Sequence, residues 1–445
     1  MDNDYISKRQ NTVNAPTAEL NAKLIAVVEA FDELWLTGQG VHPLQVLWKR
    51  QDALATNELL NFGDALQRYQ QKFQSWLNGQ IYKIKNGDAG ESSGAIFEIL
   101  ALNLFSPAAC ELKPAPNNQP GYDATLKLED GSSIFVSVKN HGISSAEREF
   151  AKEAKSIDEA FKSSLTSNNL RDLETDIIAT RHLSTSDYTL MRNDIANCVS
   201  DITHHKFGGH IERPYTIFIK GMAAQYGELS RFASSSGCRI LVPLASNEQQ
   251  NFISKIEVGC SNLFKHTQHA TEDDCRMILL RLSKTASIAK CRDWASSYFA
   301  SRPETSVDVI VLYQCVITNN QTDDTTSLTH FVCPIFGPRF VSWRQGKKSR
   351  IRNLPNLEIF VGVVSWDPPQ LMLVNERGDR LNVADFYMYQ RVDAYQKVVL
   401  EAEASITLNN PASGIHVQAY FEQNGSPLGP MSLKFAPQQE LLLLP

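Results

Sequence analysis

The chain has 445 residues, of which 42% are hydrophobic and 21% are charged. This balance is ordinary for a globular protein and excludes wholesale disorder, and the length is enough for about two or three domains. The net charge of −6 at pH 7 excludes a globally basic nucleic-acid-binding protein, although it leaves room for a local basic groove.

The sequence shows neither a membrane-spanning segment nor a cysteine motif. It contains no run of the roughly 18–20 apolar residues that a bilayer-spanning helix needs, and its first residues are polar. We therefore expect a cytoplasmic protein with no membrane partner. No two of the eight cysteines are separated by two residues, so we expect buried free thiols rather than a zinc ribbon.

The N-terminal part of the chain divides into a tail and a helical segment. Residues 1–16 are expected to form a mobile tail. Between 17 and 82, apolar residues such as Leu20 and Leu24 recur at spacings of three and four, which is typical of amphipathic helices. The second of two predicted helices covers about 57–77. These helices could brace the rest of the chain, or bind a second copy or another protein, and both roles stay open.

Residues 83–355 are expected to form an α/β domain, because predicted strands alternate with predicted helices. The predicted elements are strands at 215–220, 239–243, 277–282 and 307–316 and a helix at 288–299. Whether 170–355 shares one sheet with the preceding residues stays open.

The segment 356–445 is expected to be a small β-rich domain, because turn signals separate short apolar runs. Its predicted strands are 357–364, 370–374, 401–408, 415–421 and 440–444. This domain offers a second surface for a protein partner or a homodimer.

A strongly apolar segment begins after the N-terminal helices and contains a single acid. Ser92 or Ser93 can cap a helix whose following residues are apolar on every side, as in a buried helix. Glu98 lies in the middle of it. A buried carboxylate is unfavourable without a cation, a metal ion or hydrogen bonds. Glu98 is therefore either half of an ion pair with an arginine or part of a functional site.

A β-hairpin is predicted directly after this helix, with apolar and polar positions that alternate. A two-residue Asp-Gly turn would mismatch the two faces. A three-residue loop at 129–131, with Gly131 in the left-handed conformation, pairs Asp123 with Ser137 and places Lys139 diagonally across. These three polar side chains are therefore expected to converge at the strand ends away from the loop.

A further helix follows the hairpin, because Ser144 and Glu147 form a capping box. The order helix, strand, strand, helix over residues 91–163 resembles the catalytic core of the PD-(D/E)XK phosphodiesterase superfamily, which includes restriction endonucleases. The resemblance implies a restriction-endonuclease-like α/β core. The family pattern is a helical Glu, an Asp early in the second strand and an acid-x-Lys in the third. The matching residues of this chain are Glu98, Asp123, Ser137, Val138 and Lys139.

The resemblance implies a Mg²⁺-dependent nuclease, with Mn²⁺ as an alternative ion. Asp123 would be the central metal ligand, Glu98 would be a second, and Val138 would add its backbone carbonyl. Lys139 would orient the attacking water or stabilise charge on the phosphate. Ser137 departs from the family, since a hydroxyl in place of an acid weakens metal binding. The alternative is a catalytically degenerate nuclease fold that serves as a nucleic-acid-binding or protein-interaction module.

Basic and aromatic residues indicate where nucleic acid would bind. A cluster without acids contains Arg339, Phe340, Trp343, Arg344, Lys347, Lys348, Arg350 and Arg352. His141, close behind the candidate catalytic lysine, is a further candidate for a phosphate contact. A solvated surface loop explains the basic cluster equally well. DNA is favoured over RNA as the substrate, and a role in restriction or another antiphage defence system rests on the resemblance alone.

Overall fold

The computed structural model describes most of the chain up to residue 348 and separate strands beyond it. The described residues are 4–10, 12–13, 15–106, 112–115, 121–170, 173–203, 213–221, 237–283, 285–319, 326–348, 370–374, 380–390, 393–394, 405–410, 415–423, 426–427 and 436–437. The predicted strands 357–364 and 440–444, together with Arg350 and Arg352, lie outside them.

Helices and strands alternate along most of this described part. The helices are α1 (Asp4–Ser7), α2 (Thr17–Phe31), α3 (Glu33–Thr37), α4 (Pro43–Lys49), α5 (Ala53–Lys72), α6 (Gln74–Asn86), α7 (Ala89–Leu104), α8 (Ser145–Ser167), α9 (Thr185–Thr203), α10 (Glu248–His266), α11 (Ile288–Ser301) and α12 (Pro338–Lys348). The strands are β1 (Lys113–Pro114), β2 (Ala124–Lys127), β3 (Ser133–His141), β4 (Leu173–Ala179), β5 (Tyr215–Gly221), β6 (Gly237–Pro243), β7 (Cys275–Leu282), β8 (Val309–Asn319), β9 (Thr326–Phe336), β10 (Gln370–Val374), β11 (Arg380–Asn382), β12 (Phe386–Gln390), β13 (Asp393–Ala394), β14 (Ser405–Asn410), β15 (Ile415–Gln423), β16 (Ser426–Pro427) and β17 (Ala436–Pro437).

The larger sheet has six strands in the order β1-β2-β3-β7-β8-β9. The strands β3, β7 and β8 run parallel, and the other neighbours are antiparallel. Its strands are apolar on both faces, because Leu279 packs with α7 and the N-terminal helices, whereas Ile278 packs with α10 and α11. The prediction of an α/β fold is confirmed.

A second sheet has four strands in the order β12-β6-β4-β5 and shares a core with α8 and α9. The chain leaves the larger sheet after β3, forms this unit and returns to β7 after α10. The predicted domain 83–355 therefore contains two sheets. Strand β12 pairs with β6, although it belongs to the segment 356–445 that is predicted as a separate domain. The strands β10, β11 and β14–β16 form an antiparallel sheet of their own.

The N-terminal helices contain a break that matters for the site. The single helix predicted at about 57–77 is instead two helices, α5 and α6. The chain leaves the helical conformation at Phe73, which has φ −135° and ψ 42°. After this break α6 packs along α7. The tyrosine and tryptophan on either side of the break, Tyr69 and Trp76, pack edge to face with ring centroids 5.2 Å apart.

Residues 4–10, in the segment predicted as mobile, instead pack against α4. Arg9 is fully buried, and its guanidinium donates hydrogen bonds to the carbonyls of Leu47 (3.3 Å) and Trp48 (2.6 Å). Carbonyls in the last turn of a helix have no partner within the helix, so a cation there satisfies them. One buried arginine therefore helps to hold residues 4–10 against α4.

The hairpin formed by β2 and β3 has the predicted register. Its strand pairs are Ala124–Val136, Thr125–Phe135, Leu126–Ile134 and Lys127–Ser133. Gly131 has φ +87°, the left-handed conformation that a three-residue loop requires. The strand ends away from the loop therefore carry Asp123 opposite Ser137.

Two predictions from composition can be checked directly. The seven described cysteines are thiols that are not joined in disulfides, as predicted, and six of them are buried. Among the described helices, none combines the length and the apolar character needed to cross a bilayer.

Candidate active site

Helix α7 carries Glu98 and starts earlier than the sequence suggests. The predicted caps Ser92 and Ser93 are wrong, because the side chain of Asp88 accepts hydrogen bonds from the N–H groups of Gly90 (2.8 Å) and Glu91 (2.9 Å). An aspartate at the N-cap satisfies two free N–H groups and favours the helix dipole. The early start leaves both serines inside the helix, where their hydroxyls bond to other elements.

Glu98 is held by two neutral donors from α6. The indole Nε1 of Trp76 (3.3 Å) and the amide Nε2 of Gln80 (3.1 Å) both donate to its Oε1. Neither donor is an arginine, so the ion-pair interpretation of Glu98 finds no support in these contacts. Because both donors bind Oε1, the second carboxylate oxygen is left for another partner.

The Glu98 carboxylate lies in an unfavourable electrostatic environment. Burial, followed by repulsion from Asp123, raises its pKa from 4.5 to about 7. The positive charges of Lys83 and Lys139 and the hydrogen bond from Trp76 act in the opposite direction without cancelling the effect. A cation close to both carboxylates would favour their ionised forms.

Asp123 occupies the edge of β3 that β2 leaves open. The antiparallel ladder ends at the pair Ala124–Val136, so the next N–H on β3, that of Val138, has no strand partner there. The Asp123 Oδ2 accepts this N–H at 2.5 Å and the hydroxyl of Ser137 at 3.3 Å. The carboxylate is thus fixed at the strand ends, where the predicted register places it.

Lys139 completes the group. Its Nζ lies 3.7 Å from Asp123 Oδ2 and donates to the carbonyl of Val138 at 3.1 Å. The side chain of Ser137 is fully buried beside them. The structure therefore brings Asp123, Ser137, Val138 and Lys139 together, and the effect of Asp123 on the pKa of Glu98 places Glu98 in the same electrostatic environment.

The oxygen atoms of this group suit a hard divalent cation. Among the described residues, no cluster of three or more His, Cys, Asp or Glu side chains forms a metal site. The site instead offers two carboxylates and the Val138 carbonyl. The Gln80 amide, which donates to Glu98, also has a buried oxygen with no hydrogen-bond partner among the described residues. Mg²⁺ binds oxygen ligands, uses few protein groups and keeps several waters. These residues therefore fit Mg²⁺, with one carboxylate fewer than the family pattern.

His141 lies apart from this group. It is buried, its ring packs edge to face on Phe252 at 5.4 Å, and burial lowers its pKa. It lines a small cavity of about 40 Å³ with Glu248 and Lys290, between the larger sheet and β12. Its contacts are those of a packed residue at a strand end, and they include no partner from the candidate site.

Two residues of the predicted nucleic-acid-binding cluster, Arg339 and Trp343, are engaged in packing contacts. Arg339 pairs with the buried Asp308, at 2.6 Å for Nε–Oδ1 and 3.0 Å for Nη2–Oδ2. The ring of Trp343 is 9% exposed, stacks on Phe340 and donates to the carbonyl of Asp273 at 2.8 Å. Base stacking by Trp343 would require this packing to open. Arg344, Lys347 and Lys348 lie on the same helix, α12.

Three residues near the site are missed by sequence reasoning. Trp76 and Gln80 stand four residues apart on α6, and the one signal for them is a polar residue in an otherwise apolar stripe. Arg281 on β7 is 3% exposed and donates to Asn140 Oδ1 (2.8 Å) and Ser93 Oγ (2.7 Å). Burial lowers its pKa to about 10. It joins β3, β7 and α7 directly beside the candidate site.

No family model, no curated protein and no solved structure matches this chain. Membership of the PD-(D/E)XK superfamily therefore stays a prediction from residues 91–163.

Proposed function

We propose that this protein is a Mg²⁺-dependent nuclease that hydrolyses phosphodiester bonds, with DNA favoured over RNA as the substrate. One observation carries the proposal. Glu98, which is half-buried, and Asp123, an aspartate at a strand edge, are close enough for repulsion to raise the pKa of Glu98, and the Lys139 ammonium lies 3.7 Å from Asp123. Two acids and a lysine in one place are the groups that metal-assisted hydrolysis of a phosphodiester uses.

Each residue has a physical role in this proposal. When bound, Mg²⁺ supplies a Lewis acid for the phosphate and lowers the pKa of a bound water. Asp123, fixed by the Val138 N–H, and Glu98, fixed by Trp76 and Gln80, would hold the ion. Lys139 would place its ammonium against the charge that develops on the phosphate. Since the Val138 carbonyl accepts from Lys139, that oxygen also sets the position of the ammonium.

A degenerate nuclease fold is the second candidate, and the contacts of Asp123 favour it. Its Oδ2 receives the Val138 N–H and the Ser137 hydroxyl, and Lys139 lies close by, so this carboxylate is stabilised by the protein alone. Such a site could persist without a metal ion. The protein would then act by binding nucleic acid or another protein, and phosphate contacts would weaken steeply with added salt.

A cleavage assay separates the two candidates. Purified full-length protein is incubated with single- and double-stranded DNA and RNA in Mg²⁺ or Mn²⁺, together with Asp123→Asn and Lys139→Met. Lys127→Met is the matched control, because Lys127 is an exposed lysine on the same hairpin. We expect cleavage by the wild type and the control and a loss of at least about 100-fold in the two site variants. Absence of cleavage under every condition, or cleavage that both site variants retain, would contradict the nuclease proposal.

A further inference from the structure

The buried side-chain amide of Gln80 uses its nitrogen as a hydrogen-bond donor, but its oxygen accepts no hydrogen bond within the described part of the chain. Its side chain is 4% exposed, and its Nε2 donates to Glu98 at 3.1 Å. Its Oε1 is buried and accepts no hydrogen bond from any described residue. A buried carbonyl oxygen without a partner is unfavourable. The amide oxygens of Asn21, Asn103 and Gln314 share this condition. Among these amides, it is Gln80 that also binds Glu98. An additional group at this position would remove the penalty.

The candidate site lacks one oxygen ligand that the family pattern would supply. Ser137 stands where an acid is expected, and its hydroxyl is already engaged with Asp123. The Gln80 amide is anchored to the same carboxylate, Glu98, that would hold the metal. Amide carbonyls are hard oxygen ligands for divalent cations, although they bring no charge.

We propose that Gln80 Oε1 is a third side-chain oxygen ligand for the divalent cation, directly or through a bound water, and supplies the oxygen that Ser137 does not. This inference rests on the proposed function of the same site. It also assigns the N-terminal helices a part in the active site, because Gln80 and Trp76 both come from α6. A neutral ligand in place of an acid gives a site with one negative charge fewer, and a site with weaker cation affinity.

A purely positioning role for Gln80 makes a different prediction. In that role the important atom is Nε2, which orients Glu98, and any change that removes this donor weakens metal binding. If Oε1 binds the cation, a side chain that keeps an oxygen and loses the donor still binds the cation. Gln80→Glu is such a change, whereas Gln80→Met removes both groups at nearly constant volume.

The test is Mn²⁺ binding by the full-length protein, followed by electron paramagnetic resonance of the free ion. We expect Gln80→Met to weaken the affinity by about tenfold or more, and Gln80→Glu to bind at least as tightly as the wild type. Matched controls are Gln74→Met and Gln74→Glu, since Gln74 is exposed on the same helix, and both should bind like the wild type. Melting in EDTA checks that each variant is folded.

The results separate this inference from the proposed function. Wild-type protein that cleaves and binds Mn²⁺, with Gln80→Met binding equally well, would overturn the role of Gln80 and leave the nuclease proposal intact. Weaker binding in both Gln80 variants would assign a positioning role and also overturn the inference. Wild-type protein that neither binds Mn²⁺ nor cleaves would overturn both. If Gln80→Met does not fold, Gln80→Glu is the deciding variant. Its Mn²⁺ affinity should equal or exceed that of the wild type if Gln80 is a ligand, and should fall if Gln80 only positions Glu98.

Discussion

The substitution Glu98→Gln should stabilise the metal-free protein at alkaline pH and have little effect at acidic pH. In the folded protein the pKa of Glu98 is raised from 4.5 to about 7. Below pH 4.5 the carboxyl is protonated in both the folded and the unfolded chain, so its ionisation does not affect the free energy of unfolding. As the pH rises from 4.5 to about 7, the unfolded chain ionises this carboxyl while the folded chain keeps it protonated, so the wild type loses stability, and the loss is complete above pH 7.

The magnitude follows from the size of the pKa shift. A rise from 4.5 to about 7 corresponds to about 3 kcal/mol of lost stability once the carboxyl is ionised in both states. Glutamine cannot ionise, and its amide oxygen can still accept from Trp76 and Gln80. Glu98→Gln should therefore unfold at a higher urea concentration than the wild type at pH 8, by up to about 3 kcal/mol, and at nearly the same concentration at pH 4.5.

The assay is urea unfolding in EDTA at both pH values, with Glu91→Gln as the control on the exposed side of the same helix. A stability difference between wild type and Glu98→Gln that is equal at the two pH values would refute this electrostatic reasoning. Added Mg²⁺ tests the metal part separately. A ligand that binds only the folded state raises the free energy of unfolding by an amount set by its affinity. Mg²⁺ should therefore stabilise the wild type at pH 8 and leave the stability of Glu98→Gln nearly unchanged.

Three further changes test the packing around the site. Gly259→Ala should cost about 1–3 kcal/mol in urea unfolding, because its new Cβ would lie 2.8 Å from Cδ1 of Ile278; unchanged stability would contradict the close approach of α10 to the sheet. Gly131→Ala meets open space but has φ +87°, so we expect a loss of about 1 kcal/mol from backbone strain alone, and an unaltered unfolding midpoint would argue against the loop geometry. Arg339→Met should destabilise the fold by about 2 kcal/mol, since it leaves the buried Asp308 unpaired, without lowering DNA affinity. A stable variant that binds DNA less well would restore the nucleic-acid role of Arg339.

The hairpin was predictable because its determinants are local. Alternating polarity fixes which residues share a face, and Gly131 fixes the loop length, so the pairing of Asp123 with Ser137 follows from about twenty consecutive residues. The helix cap at Ser144 is local in the same sense, and its hydroxyl accepts the Glu147 N–H at 3.0 Å as the capping box requires.

The partners of Glu98 were not predictable, because they depend on how two helices pack. Trp76 and Gln80 reach Glu98 only after the chain breaks at Phe73 and α6 lies along α7. An apolar periodicity continues through the break, so the sequence pattern indicates one helix. The paired strands β6 and β12 illustrate the same limit, since about 140 residues separate them in the chain.

The basic cluster shows why charge patterns alone do not identify a binding surface. Arg339 and Trp343 have the residue types of a phosphate contact and a base-stacking platform, yet the Asp308 carboxylate pairs with Arg339 and the backbone carbonyl of Asp273 accepts from Trp343. Both partners lie outside the cluster in sequence, so the cluster looks unopposed when it is considered alone. A local count of charges misses partners that the sheet brings together.

The stability of the metal-free site bears on whether a site with Ser137 in place of an acid is catalytically active or inactive. Asp123 is satisfied by the protein alone, which by itself favours an inactive site. Glu98 is not, since its pKa is raised by burial and by Asp123, and the neighbouring Gln80 Oε1 is buried without a partner. Both features destabilise the protein when no cation is present. The unsatisfied groups lie side by side and would be satisfied by the same divalent cation. This arrangement favours an active site. The measurement that tests it is the Mn²⁺ affinity of Gln80→Met.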